Sequence, residues 1–201
     1  MKDARAFLTA NVSRETLLAL ETYVELLTKW NQRINLVSRK SIPDVWERHI
    51  IDSYQIALLA PEPTSSWVDL GSGGGLPGLV VSILNPGLPV TLVESDQRKC
   101  IFLNTVVQTL NLSVRIENRR IETDFDKYDV VSARALASLE DLLVLANPYR
   151  APGTTCLFMK GAAYRDELSK AAQTWRIEYD AIPSLTQPDS AVIRVKEYSR
   201  V

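Results

Sequence analysis

The spacing of hydrophobic positions changes character near residue 67. Before it, Leu17, Leu20, Val24, Leu27 and Trp30 recur at helical intervals. They follow Ser13, a residue type that caps helix N-termini, and Glu15, which suits a first turn. A second helix is expected from about Ser41, with Pro43 in its first turn and Trp46, Ile50, Tyr54 and Ala57 along one face. The stretch PEPTSS (61–66) ends it. From Trp67 onward, WVDL, VTLVES, SVRIEN, YDVVSA and TTCLFMK are short apolar runs rich in β-branched residues, the pattern of parallel strands buried on both faces. Helical stretches at 76–84, 97–110, 139–146 and 164–175 alternate with them, and the segment between SVRIEN and YDVVSA leaves little room for a crossover helix. Two final runs, RIEYDAI and AVIRVKEY, are joined by SLTQPDS without a helix and should pair antiparallel.

Five βα units closed by an antiparallel pair give an α/β chain in the order of the class I S-adenosylmethionine-dependent methyltransferase fold. That fold is Rossmann-like, with a mostly parallel seven-stranded sheet and an antiparallel last strand; here an N-terminal helical extension precedes it. The boundary is expected between an extension at 1–62 and the Rossmann-like domain at 63–201. A length of 201 residues suits one domain with an appendage.

Composition adds exclusions. No apolar run approaches the roughly 20 residues of a membrane span, and MKDARAFLTANVSRET is too polar for a signal peptide, so a cytoplasmic protein without membrane association is expected. Cys100 and Cys156 sit in apolar stretches and read as buried reduced thiols. With His49 the only histidine, no metal site is expected. A net charge of −1 means that a nucleic-acid partner must be held by a local patch. Lys29, Arg33, Arg39, Lys40 and Arg48, set against Asp44 and Glu47, form the one candidate.

An open doubly wound sheet binds its ligand at the carboxyl ends of its strands. The first strand runs through Asp69-Leu70 into Gly71, Gly73, Gly74, Gly75 and Gly78, which lets a ligand approach the backbone closely. The second ends in Glu94, roughly twenty residues on, where a carboxylate accepts both ribose hydroxyl hydrogens. Gly73-x-Gly75-x-x-Gly78 also satisfies the dinucleotide pattern, so NAD is the rival ligand. Three features favour the methyl donor: there is no room for a separate substrate domain, the chain ends in a strand pair, and no histidine is placed for hydride transfer.

After the third strand, Arg120-Ile121-Glu122 stands where this fold contacts adenine, with backbone groups of Ile121 and Glu122 for the base edge and the Ile121 side chain for its face. Arg134 and Lys160 close the fourth and fifth strands. Cations are poor core residues, so both should border a cleft and face an anionic ligand or phosphate. Asn147-Pro148-Tyr149 is similar to the Asn/Asp-Pro-Pro-Tyr signature of amine methylation, but it follows a helix rather than the fourth strand and reads as that helix's end.

Taken together, Lys29-Trp30-Asn31, Asn35-Leu36, Arg48-His49-Ile50 with Asp52-Ser53, DLGSGGGLPG, SARALASL and Lys160-Gly161 closely resemble the bacterial 16S ribosomal RNA methyltransferase G family, also called glucose-inhibited division protein B. The resemblance implies methylation of N7 of a guanine in the 530 loop of small-subunit ribosomal RNA, with S-adenosylmethionine as donor and S-adenosylhomocysteine as product. The partner it implies is 16S ribosomal RNA or an assembling small subunit, and a monomer suffices. It places donor contacts at Gly71, Leu76, Ile121, Glu122 and Arg134, with Glu94 as the ribose-side acid where many relatives carry aspartate; the glycine loop adds Gly73 as a cofactor-binding candidate. Guanine N7 has an in-plane lone pair, so no general base is needed and no residue is assigned as acid or base. Arg134, Lys160, Arg48 and His49 are candidates for positioning the substrate. Arg33, Arg39 and Lys40 are candidates for holding RNA along the N-terminal edge. For His49 the competing reading is a structural helix histidine packed near Trp46. The other activities left open are methylation of a small molecule or another RNA position, and nucleotide binding without catalysis.

Overall fold

In the computed structural model, which describes residues 4–123 and 125–201, the five apolar runs form β1 (Trp67–Leu70), β2 (Val90–Glu94), β3 (Val114–Asn118), β4 (Tyr128–Arg134) and β5 (Arg150–Lys160), all mutually parallel. The last two runs form β6 (Trp175–Pro183) and β7 (Ala191–Arg200), and β7 inserts antiparallel between β5 and β6. The strand order is β3-β2-β1-β4-β5-β7-β6. Strand order reverses between β1 and β4, and this switch point is where an open α/β sheet takes its ligand.

Side-chain alternation along the central strands splits the core in two. Trp67, Leu92, Val130 and Leu157 face the layer built by α1 (Ala4–Asn11), α2 (Arg14–Asn31), α3 (Asp52–Leu58), α4 (Gly78–Leu84) and α5 (Gln97–Leu110). Val68, Leu70, Val131 and Phe158 face the layer built by α6 (Leu139–Ala146) and α7 (Tyr164–Ala171). The N-terminal helices share the first core: Leu8, Leu20, Tyr23, Leu27, Ile50 and Ile56 are fully buried in it. Ser13 caps α2 by accepting the Thr16 N–H at 3.1 Å.

Three element expectations shift. The helix expected from Ser41 begins later. Residues 39–45 run in three-residue turns, the first four-residue bond is Arg48 N–H to Asp44 C=O, and Trp46–Ile51 is then a π-helix leading into α3. Ser41 is not available as a cap, because its hydroxyl is engaged with Ser38 O and the His49 ring. The helix expected at 164–175 stops at Ala171, and Trp175 starts β6 with its ring 5.5 Å edge-on to Tyr198. The helix expected at 76–84 starts at Gly78, since 72–77 are used in the turns of the glycine loop. Among the described residues no helix separates β3 from β4.

Candidate active site

The glycine loop is pulled onto the sheet by its own backbone. The N–H groups of Gly71 and Ser72 both donate to Val93 O, at 2.9 and 3.1 Å. Gly71 and Gly73 then turn with φ of 65° and 55°, conformations that side chains resist. A Cβ at Gly71 would stand 2.7 Å from Leu136 Cδ1, whereas one at Gly73 would meet no atom nearer than 3.8 Å. The surface beside Gly73 is therefore an open cradle. Glu94, buried at the end of β2, closes one side of it. Its Oε2 accepts the Gly73 N–H at 2.8 Å and its Oε1 accepts the Asp96 N–H at 2.8 Å. Each carboxylate oxygen keeps a further lone pair for a donor from outside. Leu76 is buried behind the loop, its N–H bonded to Ser72 O.

The loop is supported from the N-terminal helices by Tyr23 and Asn31. The Tyr23 hydroxyl of α2, fully buried, donates to Gly74 O at 2.6 Å. Asn31 at the end of α2 accepts the N–H groups of Leu36 and Val37 at 2.9 and 3.0 Å, which presses Leu36 against Gly74. Beneath the loop, the Ser132 hydroxyl donates to Asp69 Oδ1 at 2.7 Å and accepts Trp67 Nε1–H at 2.9 Å. Burial pushes the Asp69 carboxyl up to about 6, against the opposing effect of the Ser132 bond. Tyr23 carries no motif signal; Asn31 lies in the KWN match and Ser132 opens SARALASL.

The loop after β3 brings Ile121 and Glu122 to the same end of the sheet. The Tyr149 hydroxyl donates to Ile121 O at 2.6 Å and accepts from Arg119 Nη1 at 2.9 Å. Arg119 is itself paired with Glu117 at 2.5 Å. Ile121 packs on the α6 side of the core and Glu122 is exposed. The Asn147-Pro148-Tyr149 segment is a 3-10 turn ending α6. Its tyrosine fixes this loop.

Beyond the switch point, the ends of β4 and β5, the start of β7 and the first turn of α3 enclose a cleft of about 260 Å³. Arg48, Asp52, Arg134, Lys160, Glu167 and Ser184 are among its lining residues. Arg134 and Lys160 enter it from opposite faces of the sheet. Arg134 turns toward the N-terminal helices and donates to Arg48 O at 2.8 Å. Burial pushes its pKa below the usual arginine value, opposed by the nearby Asp52, and it stays charged. Lys160 turns toward α6 and α7, where it pairs with Glu167 at 2.6 Å and donates to Ala137 O at 2.8 Å. Between them Ala135 lies exposed at the cleft with φ 50°, a conformation costly for alanine.

His49 is buried rather than in the cleft wall. Its Nε2 is 2.7 Å from Ser41 Oγ. Burial, then the charges of Arg134 and Arg48, push the imidazole down to about 3, so it is neutral at physiological pH. Arg33, Arg39, Lys40 and Arg48 are exposed. Ser41 closes the 3-10 turn carrying Arg39 and Lys40, so the Ser41–His49 contact ties that basic turn to the π-helix whose Arg48 carbonyl holds Arg134.

Residues 16–192 match the family model described as GidB, rRNA small subunit methyltransferase G. A relative from Ruegeria sp. (strain TM1040), named Ribosomal RNA small subunit methyltransferase G, is 47% identical over 100% of both chains. The chain belongs to this family. A further member, from Paramagnetospirillum magneticum (strain ATCC 700264 / AMB-1), is 47% identical over 95% of this chain and 93% of its own. Solved structures support the fold alone. The glycopeptide N-methyltransferase MtfA complexed with S-adenosylmethionine superposes with a TM-score of 0.62 at 10% identity, covering 74% of this chain and 93% of that one. The mitomycin 7-O-methyltransferase MmcR gives 0.60 at 14% identity, over 92% and 69%. The rRNA methyltransferase G family thus builds on the class I methyltransferase sheet.

Proposed function

We propose that this protein methylates N7 of a guanine in the 530 loop of 16S ribosomal RNA, taking the methyl group from S-adenosylmethionine and acting as a cytoplasmic monomer. What carries the reading is 47% identity, over 95% or more of this chain, to relatives named Ribosomal RNA small subunit methyltransferase G, in a chain whose open glycine cradle lies beside Glu94. The cradle fits the donor: Gly71, Gly73 and Leu76 shape the floor, and Glu94 has lone pairs for ribose hydroxyls. The loop of Ile121 and Glu122, braced by Tyr149, receives the adenine, and Arg134 stands where a carboxylate or phosphate needs a cation.

The bound donor supplies a sulfonium methyl: as the N7–carbon bond forms the sulfur–carbon bond breaks, positive charge passes to the purine, and no proton leaves. General acid–base help is not required. The residues act by holding reactants in line, a contribution that reaches about 7–11 kcal/mol in well-oriented systems. Arg48 and Arg134 face the acceptor directly. Lys160, neutralised by Glu167, and His49, held neutral by burial, position the segments around it. Arg33, Arg39 and Lys40 take RNA phosphates along the N-terminal edge.

The test is methyl transfer from labelled donor to purified small subunits and to naked 16S RNA, followed by identification of the labelled nucleoside. Labelled 7-methylguanosine is the expected product. Label in another nucleoside, or tight NAD binding without binding of S-adenosylhomocysteine, would overturn the reading.

A further inference from the structure

Adenine and guanine both carry an N7 lone pair, so the chemistry of transfer does not select guanine. The two bases differ at position 6 beside N7, O6 against an amino group, and on the opposite edge, where guanine presents N1–H and N2–H donors and adenine presents an N1 acceptor; a carboxylate selects guanine through that second edge. A guanine in the cleft with N7 turned toward the glycine loop directs that edge away from β1, toward α3 and the connection between β6 and β7. The carboxylate on this wall is Asp52.

Asp52 is held there by a built arrangement. Its Oδ1 accepts the hydroxyls of Ser184 and Thr186 at 3.0 and 2.5 Å. One turn along α3, Gln55 donates to Pro183 O at 2.7 Å and accepts the Leu185 N–H at 3.0 Å. These four bonds tie the first turn of α3 to 183–186 and fix the carboxylate plane. Asp52 is 8% exposed and lines the cleft. Among the described residues no hydrogen bond or ion pair reaches its Oδ2. The other acid of the cleft, Glu167, is committed to Lys160 and to the Leu139 N–H.

We propose that Asp52 reads the acceptor base, its Oδ2 accepting N1–H and N2–H of guanine, which makes it a specificity-determining residue of the cleft. This rests on the guanine-N7 reading above and extends it. An adenine in the same pose brings its N1 lone pair against the carboxylate and is repelled. The contact also strengthens during the reaction. As N7 acquires its methyl group the purine becomes cationic and N1–H more acidic, so its bond to a carboxylate is tighter in the transition state than in the bound substrate. Such a difference accelerates transfer instead of only tightening binding.

The experiment compares small subunits reconstituted with 16S RNA carrying either guanosine or inosine at the target position. Inosine keeps N7 and N1–H but lacks the 2-amino group. For the wild-type protein, kcat/KM should fall roughly tenfold to a hundredfold on inosine, the range for a hydrogen bond to a charged group. Asp52→Asn should lose activity on guanosine, with kcat affected, while discriminating inosine from guanosine by no more than a few fold. Its affinity for S-adenosylhomocysteine should match wild type. A residue that merely held the β6–β7 connection would lower both substrates alike and keep the ratio. Equal wild-type rates on the two substrates overturn the proposal, as does an undiminished ratio in Asp52→Asn; the wild-type comparison decides alone if that variant does not fold. Wild-type transfer to the guanosine target with equal rates on inosine leaves the guanine-N7 reading standing while removing this one. Failure to methylate guanine N7 at all removes both.

Discussion

Glu94 Oε2 accepts the backbone N–H of Gly73 at 2.8 Å, joining the end of β2 to the glycine loop after β1. The bond orients a carboxylate toward the cradle and holds the loop that forms its floor. Glu94→Gln replaces one acceptor oxygen by a donor facing either Gly73 N–H or Asp96 N–H. Affinity for S-adenosylhomocysteine should drop about tenfold to a hundredfold in calorimetry, since hydrogen bonds to charged groups contribute about 1.5–3 kcal/mol. An unchanged affinity would remove Glu94 from the donor site.

Gly78 shows how glycine serves packing here. A Cβ at this position would lie 2.3 Å from Leu92 Cδ2 and 2.9 Å from Asp69 Cβ. Gly→Ala in a helix ordinarily stabilises; Gly78→Ala should instead destabilise by about 1–3 kcal/mol through overpacking. Urea unfolding measures the sign.

Much of the fold was legible in the sequence because it rests on long-wavelength signals. Parallel strands buried on both faces must be continuous apolar runs, and the paired C-terminal strands have no helix between them. The glycine loop and its carboxylate neighbour were legible for a related reason: Gly71, Gly73 and Glu94 are residue types dictated by backbone geometry and by the end of a strand. The tie between α3 and the β6–β7 connection was not legible. Asp52 and Gln55 meet Ser184 and Leu185 across more than a hundred residues, and ordinary polar residues give no periodic signal of such a contact. The late start of the helix before α3 was hidden too, because Ser41 and Pro43 suit a helix start by type while the Ser41 hydroxyl is taken by His49. Lys160 read as a free cation because its neutralising partner, Glu167, comes from the next helix.

Tyr23 couples the N-terminal helices to the glycine loop. Tyr23→Phe removes the buried bond to Gly74 O and should cost about 1–2 kcal/mol of stability, leaving that carbonyl without its partner. Donor affinity should weaken with it. If only stability changed, the N-terminal layer would be a support without influence on the cradle.

Two buried groups give stability opposite pH dependences. His49 is pushed from 6.5 to about 3, so between these values the unfolded chain binds a proton that the folded chain does not, and stability falls as pH falls through this window. Asp69 is raised from 3.8 to about 6, so the folded chain holds the extra proton and stability falls as pH rises through that range. Asp69→Asn should match wild type near pH 4 and exceed it above pH 6, by roughly 3 kcal/mol at most. His49→Gln should flatten the acid limb. Urea midpoints across pH 4 to 8 test both, and an Asp69→Asn offset independent of pH would contradict the assignment.

The basic edge is tested by salt. Arg33→Glu with Arg39→Glu should weaken RNA binding and lower the slope of log affinity against log salt by between one and two, the loss expected for two phosphate contacts. Donor affinity should be unaffected. An unchanged slope would place the RNA elsewhere.

The acceptor atom is tested in place by mapping N7 methylation on 16S RNA from cells with and without this protein. Reduction and aniline cleavage of the RNA breaks the strand at 7-methylguanosine. One cleavage in the 530 loop should disappear without the protein and return with the wild-type chain but not with Glu94→Gln. A 530-loop cleavage that persists without the protein, or a lost modification at another base, would contradict the guanine-N7 reading.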